Sequence, residues 1–135
     1  MRGENTKQSS MLMLMSPESR VPTAHPIRRI KALSDDALAR LSPVFDAMYS
    51  STGRPSIPPE RLLKATLLMA LYSVRSERQF CEQLDYNLLF RWFLDMDMTE
   101  ASFDATAFTH NRARLIAHDV AGEFFRAQIT SAVFR

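Results

Sequence analysis

Residues 54–80, RPSIPPERLLKATLLMALYSVRSERQF, decide how this chain folds. Pro55, Pro58 and Pro59 stand before a strongly apolar segment, and an arginine-bearing polar stretch follows it. Proline lacks a backbone N–H and is tolerated in the first turn of a helix, so this order predicts a helix from about 59 to 73. Its apolar residues lie almost all the way round, which predicts a buried helix at the centre of a bundle.

A short break separates this helix from a second one, predicted over about 77–85. Ser76 and Gln79 have the spacing of a capping box, which marks a helix start. A buried helix, a tight turn and an exposed second helix resemble a helix-turn-helix, whose second helix presents its N-terminal residues to the major groove of DNA. Arg75, Ser76 and Arg78 would occupy that position, although the usual turn glycine is absent. Two helices at a tight turn are also common in any bundle.

Helical periodicity extends over the rest of the chain. Pro26 opens a predicted helix over residues 25–41, and Ser42-Pro43 predicts the start of a separate short helix that ends at Tyr49. Three further helices are predicted after the capping residues Asn87, Asp104 and Asp119. No segment alternates with a period of two, so no strand is predicted. The predicted fold class is all-α, a compact multi-helix bundle with a helix-turn-helix-like pair.

The 135 residues suffice for one domain with a real core. Residues 1–24 are polar, broken by Pro17 and Pro22, and predict a flexible N-terminal arm, either poorly ordered or docked. Residues 25–135 form the predicted helical domain. The longest apolar run is far shorter than the roughly 20 residues that a bilayer requires, so a soluble, cytoplasmic protein without a membrane partner is expected.

The basic residues of the chain permit nucleic acid as a partner without requiring it. The net charge is only +2, but fourteen of the seventeen basic residues are arginine. The planar arginine fork suits phosphates and guanines, although codon usage in a GC-rich genome explains the bias equally well.

Cys81, the single cysteine, excludes a disulfide framework within the chain and fits a reducing cytoplasm. Its helical context predicts a small core hydrophobe.

A second basic stretch, FTHNRAR at residues 108–114, is a candidate for DNA contact. Asparagine pairs with adenine and arginine with guanine, so Asn111, Arg112 and Arg114 are predicted to face DNA. A polar, solvated helix side is the plainer alternative. Arg28, Arg29 and Lys31, on the outer face of the first long helix, are predicted phosphate contacts.

The acidic residues Asp95, Asp97 and Asp104 invite a magnesium interpretation, but acids in loops commonly solvate turns or cap helices. No metal site is therefore predicted. The sequence contains no glycine-rich phosphate loop, nucleophile elbow or histidine–carboxylate pairing, and no catalytic residue is predicted.

The stretches SPESRVPTAHPIRRIKAL, GRPSIPPERLL, LYSVRSERQ, LDYNLLFRWF and FDATAFTHNRARL closely resemble the N-terminal region of bacterial transposases of the insertion-sequence-five family. The resemblance covers essentially the whole chain. It implies a helical domain that helps to recognise the terminal inverted repeats of a mobile element, with double-stranded DNA as partner in the bacterial nucleoid.

In complete members of this family a catalytic domain of ribonuclease-H-like fold follows, in which three acidic residues hold two divalent metals. No acidic residue of this chain matches that set. The resemblance therefore implies a part without its own catalytic centre and without a cofactor in this chain. MLMLM at residues 11–15 and residues 100–103 depart from the family pattern. The sequence does not distinguish three origins of this chain: a gene remnant, the first of two overlapping reading frames, or a deliberately expressed fragment.

A protein-interaction module is the alternative function. The helices would pair transposase subunits, and the chain would then be a fragment that inhibits the full-length transposase by forming mixed oligomers, or a relic. Phe90, Trp92 and Phe93 are the predicted anchors, because aromatic residues dominate such interfaces. Plain core packing of the same three side chains is the competing explanation.

Overall fold

The computed structural model of the protein describes residues 3–5, 14–49, 56–117 and 120–133. Across these ranges the chain is all-α, as predicted, and no strand occurs in them. The helices are α1 (Pro17–Arg20), α2 (Ile27–Tyr49), α3 (Pro59–Leu71), α4 (Glu77–Tyr86), α5 (Leu88–Phe93), α6 (Ala105–Ala117) and α7 (Val120–Val133). None of these helices is long and apolar enough to cross a membrane.

Helix α3 lies at the centre of the bundle, as the sequence predicts. It packs against α2, α5 and α6. Leu62, Leu63 and Leu68 are fully or almost fully buried in the core. Burial of each leucine side chain contributes about 2 kcal/mol, so this helix carries a large share of the apolar stabilisation. Its last turn differs, because Leu71 is 45% exposed.

The break after α3 is a five-residue segment, Tyr72–Ser76, rather than the predicted three. Ser73 has a φ of 56°, the left-handed conformation that glycine usually supplies after a helix. The Val74 N–H donates to the Met69 carbonyl at 2.9 Å, which is the long hydrogen bond of a Schellman motif. A serine thus takes the position of the missing turn glycine.

Three predicted helix caps are confirmed. The Ser76 hydroxyl accepts from the Gln79 N–H at 3.2 Å, and the Asn87 side chain accepts from the Phe90 N–H at 3.1 Å. The Asp104 carboxylate accepts from the Ala107 N–H at 2.9 Å. These bonds satisfy N–H groups that have no partner inside a helix. The predicted cap Asp119 lies outside the described residues, as does Pro55.

The predicted helix start at Ser42-Pro43 was wrong. Helix α2 runs without interruption from Ile27 to Tyr49 and contains Pro43 in its interior. Pro43 faces solvent, so water can reach the carbonyl group that loses its helical partner. Phe45, two residues further on, is buried and continues the apolar stripe. Burial of that ring keeps the helix continuous despite the proline.

The aromatic core joins three helices. The rings of Phe80 and Phe90 stack at 5.3 Å, and the rings of Phe80 and Phe108 lie 5.6 Å apart. Phe90, Trp92 and Phe93, the anchors predicted for the interaction module, are all buried in this chain's own core. Core packing is therefore the role that the structure assigns to these three side chains.

Cys81 belongs to the same core and is buried, as predicted. Burial raises the pKa of its thiol to about 11, and the nearby carboxylates of Glu77 and Asp104 act in the same direction. A thiol with this pKa stays protonated near neutral pH.

The described part of the N-terminal arm is docked onto the bundle. Helix α1, which the sequence did not predict, packs against α5, and Pro17 and Val21 are buried. The Glu18 carboxylate accepts hydrogen bonds from the Arg28 guanidinium and the Trp92 indole N–H. These two hydrogen bonds, from Arg28 first, lower the pKa of Glu18.

Candidate nucleic-acid interface

The two stretches that the sequence singled out for DNA contact meet at one shallow groove. Helix α4 packs against α6, and the space between them opens to solvent. We call this surface the α4–α6 groove; it is lined by Arg78, Ala105, Thr106, Thr109, His110 and Ala113. A cation from α4 therefore shares a surface with hydroxyl and imidazole groups from α6.

Arg75 and Arg78 lie beside the N-terminus of α4, on either side of the Ser76 cap. Both side chains are exposed, and neither guanidinium has an ion pair or hydrogen-bond partner among the described residues. The N-terminus of a helix carries partial positive charge, which adds to the charge of the two arginines. This end of α4 is the part of the helix best suited to meet phosphate groups.

The other side of α4 has the opposite charge. Glu82 and Asp85 of α4 lie with Asp104 along a second shallow depression. A DNA backbone would be repelled there and attracted to the arginine-bearing end. The charge distribution of α4 thus favours one direction of approach.

Asn111 and Arg112, both predicted to face DNA, make contacts inside the chain. Asn111 is only 6% exposed, and its amide donates to the Ser56 hydroxyl at 3.1 Å and to the Ala107 carbonyl at 2.7 Å. The Arg112 Nε–H donates to the Thr66 hydroxyl at 3.0 Å, and its Nη1 lies 3.4 Å from a Glu77 carboxylate oxygen. These side chains connect α6 to its neighbours.

Arg114 has a different environment from Asn111 and Arg112. It is half-buried, with its guanidinium 5.9 Å from the centre of the Tyr49 ring at the end of α2. Its predicted contact with DNA stays a prediction.

Arg28 and Lys31, two of the three predicted phosphate contacts on α2, are engaged within the fold. The Arg28 guanidinium donates to the backbone carbonyls of Pro22 at 3.1 Å and Val21 at 2.7 Å, and it lies over the Trp92 ring at 5.1 Å. Arg29, its neighbour, is exposed and has no side-chain partner among the described residues. Arg29 is therefore the cation of this group that is available to a phosphate.

Lys31 belongs to an ionic network that joins α2, α3 and the turn after α5. It pairs with Asp35 at 2.8 Å and with Asp95 at 2.9 Å, and the buried Lys64 pairs with the same two carboxylates. Burial alone would lower the pKa of Lys31, but the hydrogen bonds to Asp35 and Asp95 raise it overall. Burial alone would raise the pKa of Asp95, but the hydrogen bonds from Lys31 and Lys64 lower it overall.

The acidic loop after α5 is held by cations of the chain itself. Arg61 donates to the Glu100 carboxylate at 2.7 Å, and this hydrogen bond lowers the pKa of Glu100. Arg91, which is 3% exposed, donates to the backbone carbonyls of Asp97 at 2.7 Å and Glu100 at 2.8 Å. Over the described ranges, no group of three or more His, Cys, Asp and Glu side chains is arranged to hold a metal ion.

Sequence reasoning missed the structural roles of Lys64 and Arg91. The available signal was a single cation surrounded by apolar residues of a helix, as in LLKATLL and LLFRWFL. A buried charge requires an opposite charge or several acceptors, so each of these residues predicts a partner elsewhere in the chain.

Comparison with known proteins yields one match. A family model described as "Transposase domain (DUF772)" matches residues 15–114, well over half of the chain. The matched range contains α1 to α5, most of α6, and every residue that lines the α4–α6 groove. No curated protein and no solved structure matches significantly.

Proposed function

Because the chain belongs to the transposase-domain (DUF772) family, which gives it a role related to transposition, we propose that it binds the terminal inverted repeats of a mobile element as double-stranded DNA. The observation that carries this proposal is the α4–α6 groove, where the two sequence-predicted segments share one surface. Arg75 and Arg78 supply exposed positive charge at one end of α4. Thr109 and His110 supply groups that can donate to phosphates or base edges.

The proposed mechanism separates positioning from sequence reading. Arg75, Arg78 and Arg29 neutralise phosphates and bring the domain to the duplex. Side chains of the groove then contact base edges at the N-terminal end of α4, as in a helix-turn-helix. Each neutralised phosphate releases counterions, so the affinity falls steeply as the salt concentration rises. Asn111 and Arg112 support this surface through their contacts within the chain.

The catalytic step belongs to another part of the transposase in this proposal. The resemblance to the insertion-sequence-five family implies three acidic residues that hold two divalent metals on a ribonuclease-H-like domain. In this chain, Asp95 and Glu100 form ion pairs with lysine or arginine, and Asp104 caps α6. We therefore propose that the chain is not an enzyme on its own and acts on the bacterial nucleoid together with a catalytic partner.

The test is a titration of the purified chain against a duplex that carries the inverted repeat of its element, at several salt concentrations. A scrambled duplex of equal length is the comparison. We expect preferential, salt-sensitive binding, and we expect the double variant Arg75→Gln/Arg78→Gln to reduce the salt slope by about 2, one for each lost phosphate contact. Arg20→Gln/Arg40→Gln removes the same number of charges from exposed positions of α1 and α2, outside both predicted DNA-contact segments, and is the control for net charge. Unchanged affinity and slope in the double variant would show that the interface lies elsewhere.

Self-association is the second candidate function, and the exposed apolar pair at the end of α3 favours it. Leu71 and Tyr72 lie next to each other, and each side chain is about two-fifths exposed or more. Such side chains can contribute to an interface between subunits. Sedimentation separates the candidates, because a stable homodimer without affinity for DNA supports the interaction module.

A further inference from the structure

The side chain of Arg112 lies where three helices meet. It starts on α6, contacts Thr66 on α3 and reaches Glu77 on α4. Helix α6 packs against both of these helices, whereas α3 and α4 follow each other in the chain without extensive direct contact. Helix α5 also packs against both α3 and α4, so the orientation of α4 relative to the buried helix depends on α5, on α6 and on the side chains that bridge from them.

The Thr66 hydroxyl acts both as an acceptor, from Arg112, and as a donor, within its own helix. That oxygen accepts from the Arg112 Nε–H at 3.0 Å, and its own hydrogen is donated to the Leu62 carbonyl at 2.9 Å. At the other end of the guanidinium, the Arg112 and Glu77 side chains are only 24% and 27% exposed. Partial removal from water strengthens this ion pair relative to one on the open surface.

Glu77 is the first residue of α4 and lies between the two exposed arginines in sequence. Arg75 precedes it by two residues, and Arg78 follows it directly. Any shift of this first turn therefore moves both guanidinium groups. Surfaces whose charged groups are held in place before binding lose less conformational entropy on association.

We propose that Arg112 is a positioning residue for the DNA-binding surface, which ties the first turn of α4 to α3 and α6 and sets the direction of Arg75 and Arg78. The inference rests on the proposed DNA-binding function. It gives Arg112 a different role from direct contact with DNA, which the sequence predicts. The two roles have opposite consequences when Glu77 is changed.

The decisive variant is Glu77→Gln in the full chain, titrated with the inverted-repeat duplex and with the scrambled duplex. Glu82→Gln is the reference, because it removes one carboxylate from the same helix without breaking an ion pair among the described residues. If Arg112 positions α4, loss of the ion pair makes Glu77→Gln bind about threefold more weakly than Glu82→Gln, with an equal salt slope. If Arg112 contacts a phosphate, removal of the competing carboxylate strengthens binding instead. Binding by Glu77→Gln that is equal to or tighter than that of Glu82→Gln would overturn the positioning role.

Thr66 provides a matched pair of variants on the opposite side of Arg112. Thr66→Val keeps the shape of the side chain and removes the acceptor, so it is expected to weaken binding to a similar extent. Thr66→Ser keeps the hydroxyl and is expected to bind as the unchanged protein does. Equal affinity of the valine and serine variants would contradict the proposal.

A measurement without DNA separates the two proposals. The amides of Gln79 and Phe80 bond to Ser76 in the first turn of α4, so their hydrogen exchange reports whether that turn is held. Glu77→Gln and Thr66→Val should exchange faster at these amides, whereas Arg126→Gln on α7 should not. Unchanged exchange overturns the positioning role even if DNA binds. Faster exchange in a chain that binds neither duplex overturns the DNA-binding function and leaves only a structural contact.

Discussion

A single backbone conformation determines how α3 ends. Ser73 has a φ of 56°, and the hydrogen bond from Val74 to Met69 closes the turn around it. An L-amino acid pays about 1–2 kcal/mol for this left-handed region, whereas glycine enters it freely. Asp95 takes the same conformation after α5, with the Met96 N–H donating to the Arg91 carbonyl at 2.9 Å. The Asp95 carboxylate also forms ion pairs, but no side-chain contact of Ser73 offsets the strain among the described residues.

Ser73→Gly is therefore expected to raise the free energy of unfolding by about 0.5–1 kcal/mol, after the larger entropy of glycine in the unfolded chain is subtracted. Urea denaturation measures the change as a higher midpoint at constant slope. Ser73→Ala keeps the left-handed strain and should give no such gain. A similar gain from both variants would mean that the strain at residue 73 is not its source.

At the scale of the element, α2 shows that side-chain burial can override a local helix-breaking signal. Its sequence contains Ser42-Pro43, which is typical of a helix start, yet the helix continues to Tyr49. The proline removes one hydrogen bond on the solvent side, and the buried ring of Phe45 holds the next turn against the core. A local pattern cannot include that contact, because the surface that receives Phe45 comes from other parts of the chain.

Pro43→Ala should restore the missing hydrogen bond and raise the free energy of unfolding by about 1–3 kcal/mol. Thermal or urea unfolding followed by circular dichroism measures this gain. Pro59→Ala is the matched control, because Pro59 occupies the first turn of α3, where a proline costs little. Stabilisation of equal size at both positions would show that the interior location of Pro43 does not matter.

At the scale of the whole molecule, local signals predicted most helices and three of their caps, because periodicity and capping act within a few residues. The surface on which the arm docks and the roles of the cations were not predictable in this way. Arg28 and Arg29 are adjacent and chemically identical, yet only Arg28 reaches Glu18 and the Trp92 ring. Likewise, the sequence placed Arg78 and Arg112 together as DNA contacts, and only their tertiary neighbours distinguish them. The charge of a side chain can be read from the sequence, but its partner depends on the fold.

The single variants Arg28→Ala and Arg29→Ala test this distinction, because each of them removes one positive charge and the two have the same net charge. Loss of Arg28 removes hydrogen bonds that join α2 to α1 and a cation–π contact with Trp92 of α5, and should lower the free energy of unfolding by about 2 kcal/mol. Loss of the exposed Arg29 should change it by less than about 0.5 kcal/mol. Parallel urea titrations compare the two variants directly, and equal destabilisation would show that the docked arm does not depend on Arg28.

The protonated, buried thiol of Cys81 has a practical consequence for spectroscopy. Maleimide and iodoacetamide dyes react with thiolates, and a thiol whose pKa is about 11 offers very little thiolate at neutral pH. A cysteine introduced at an exposed residue of the groove, such as Thr109→Cys, would therefore take up a fluorophore selectively in the native protein. The natural residue need not be replaced, so the stacked aromatic core around it stays intact while the dye reports on the groove.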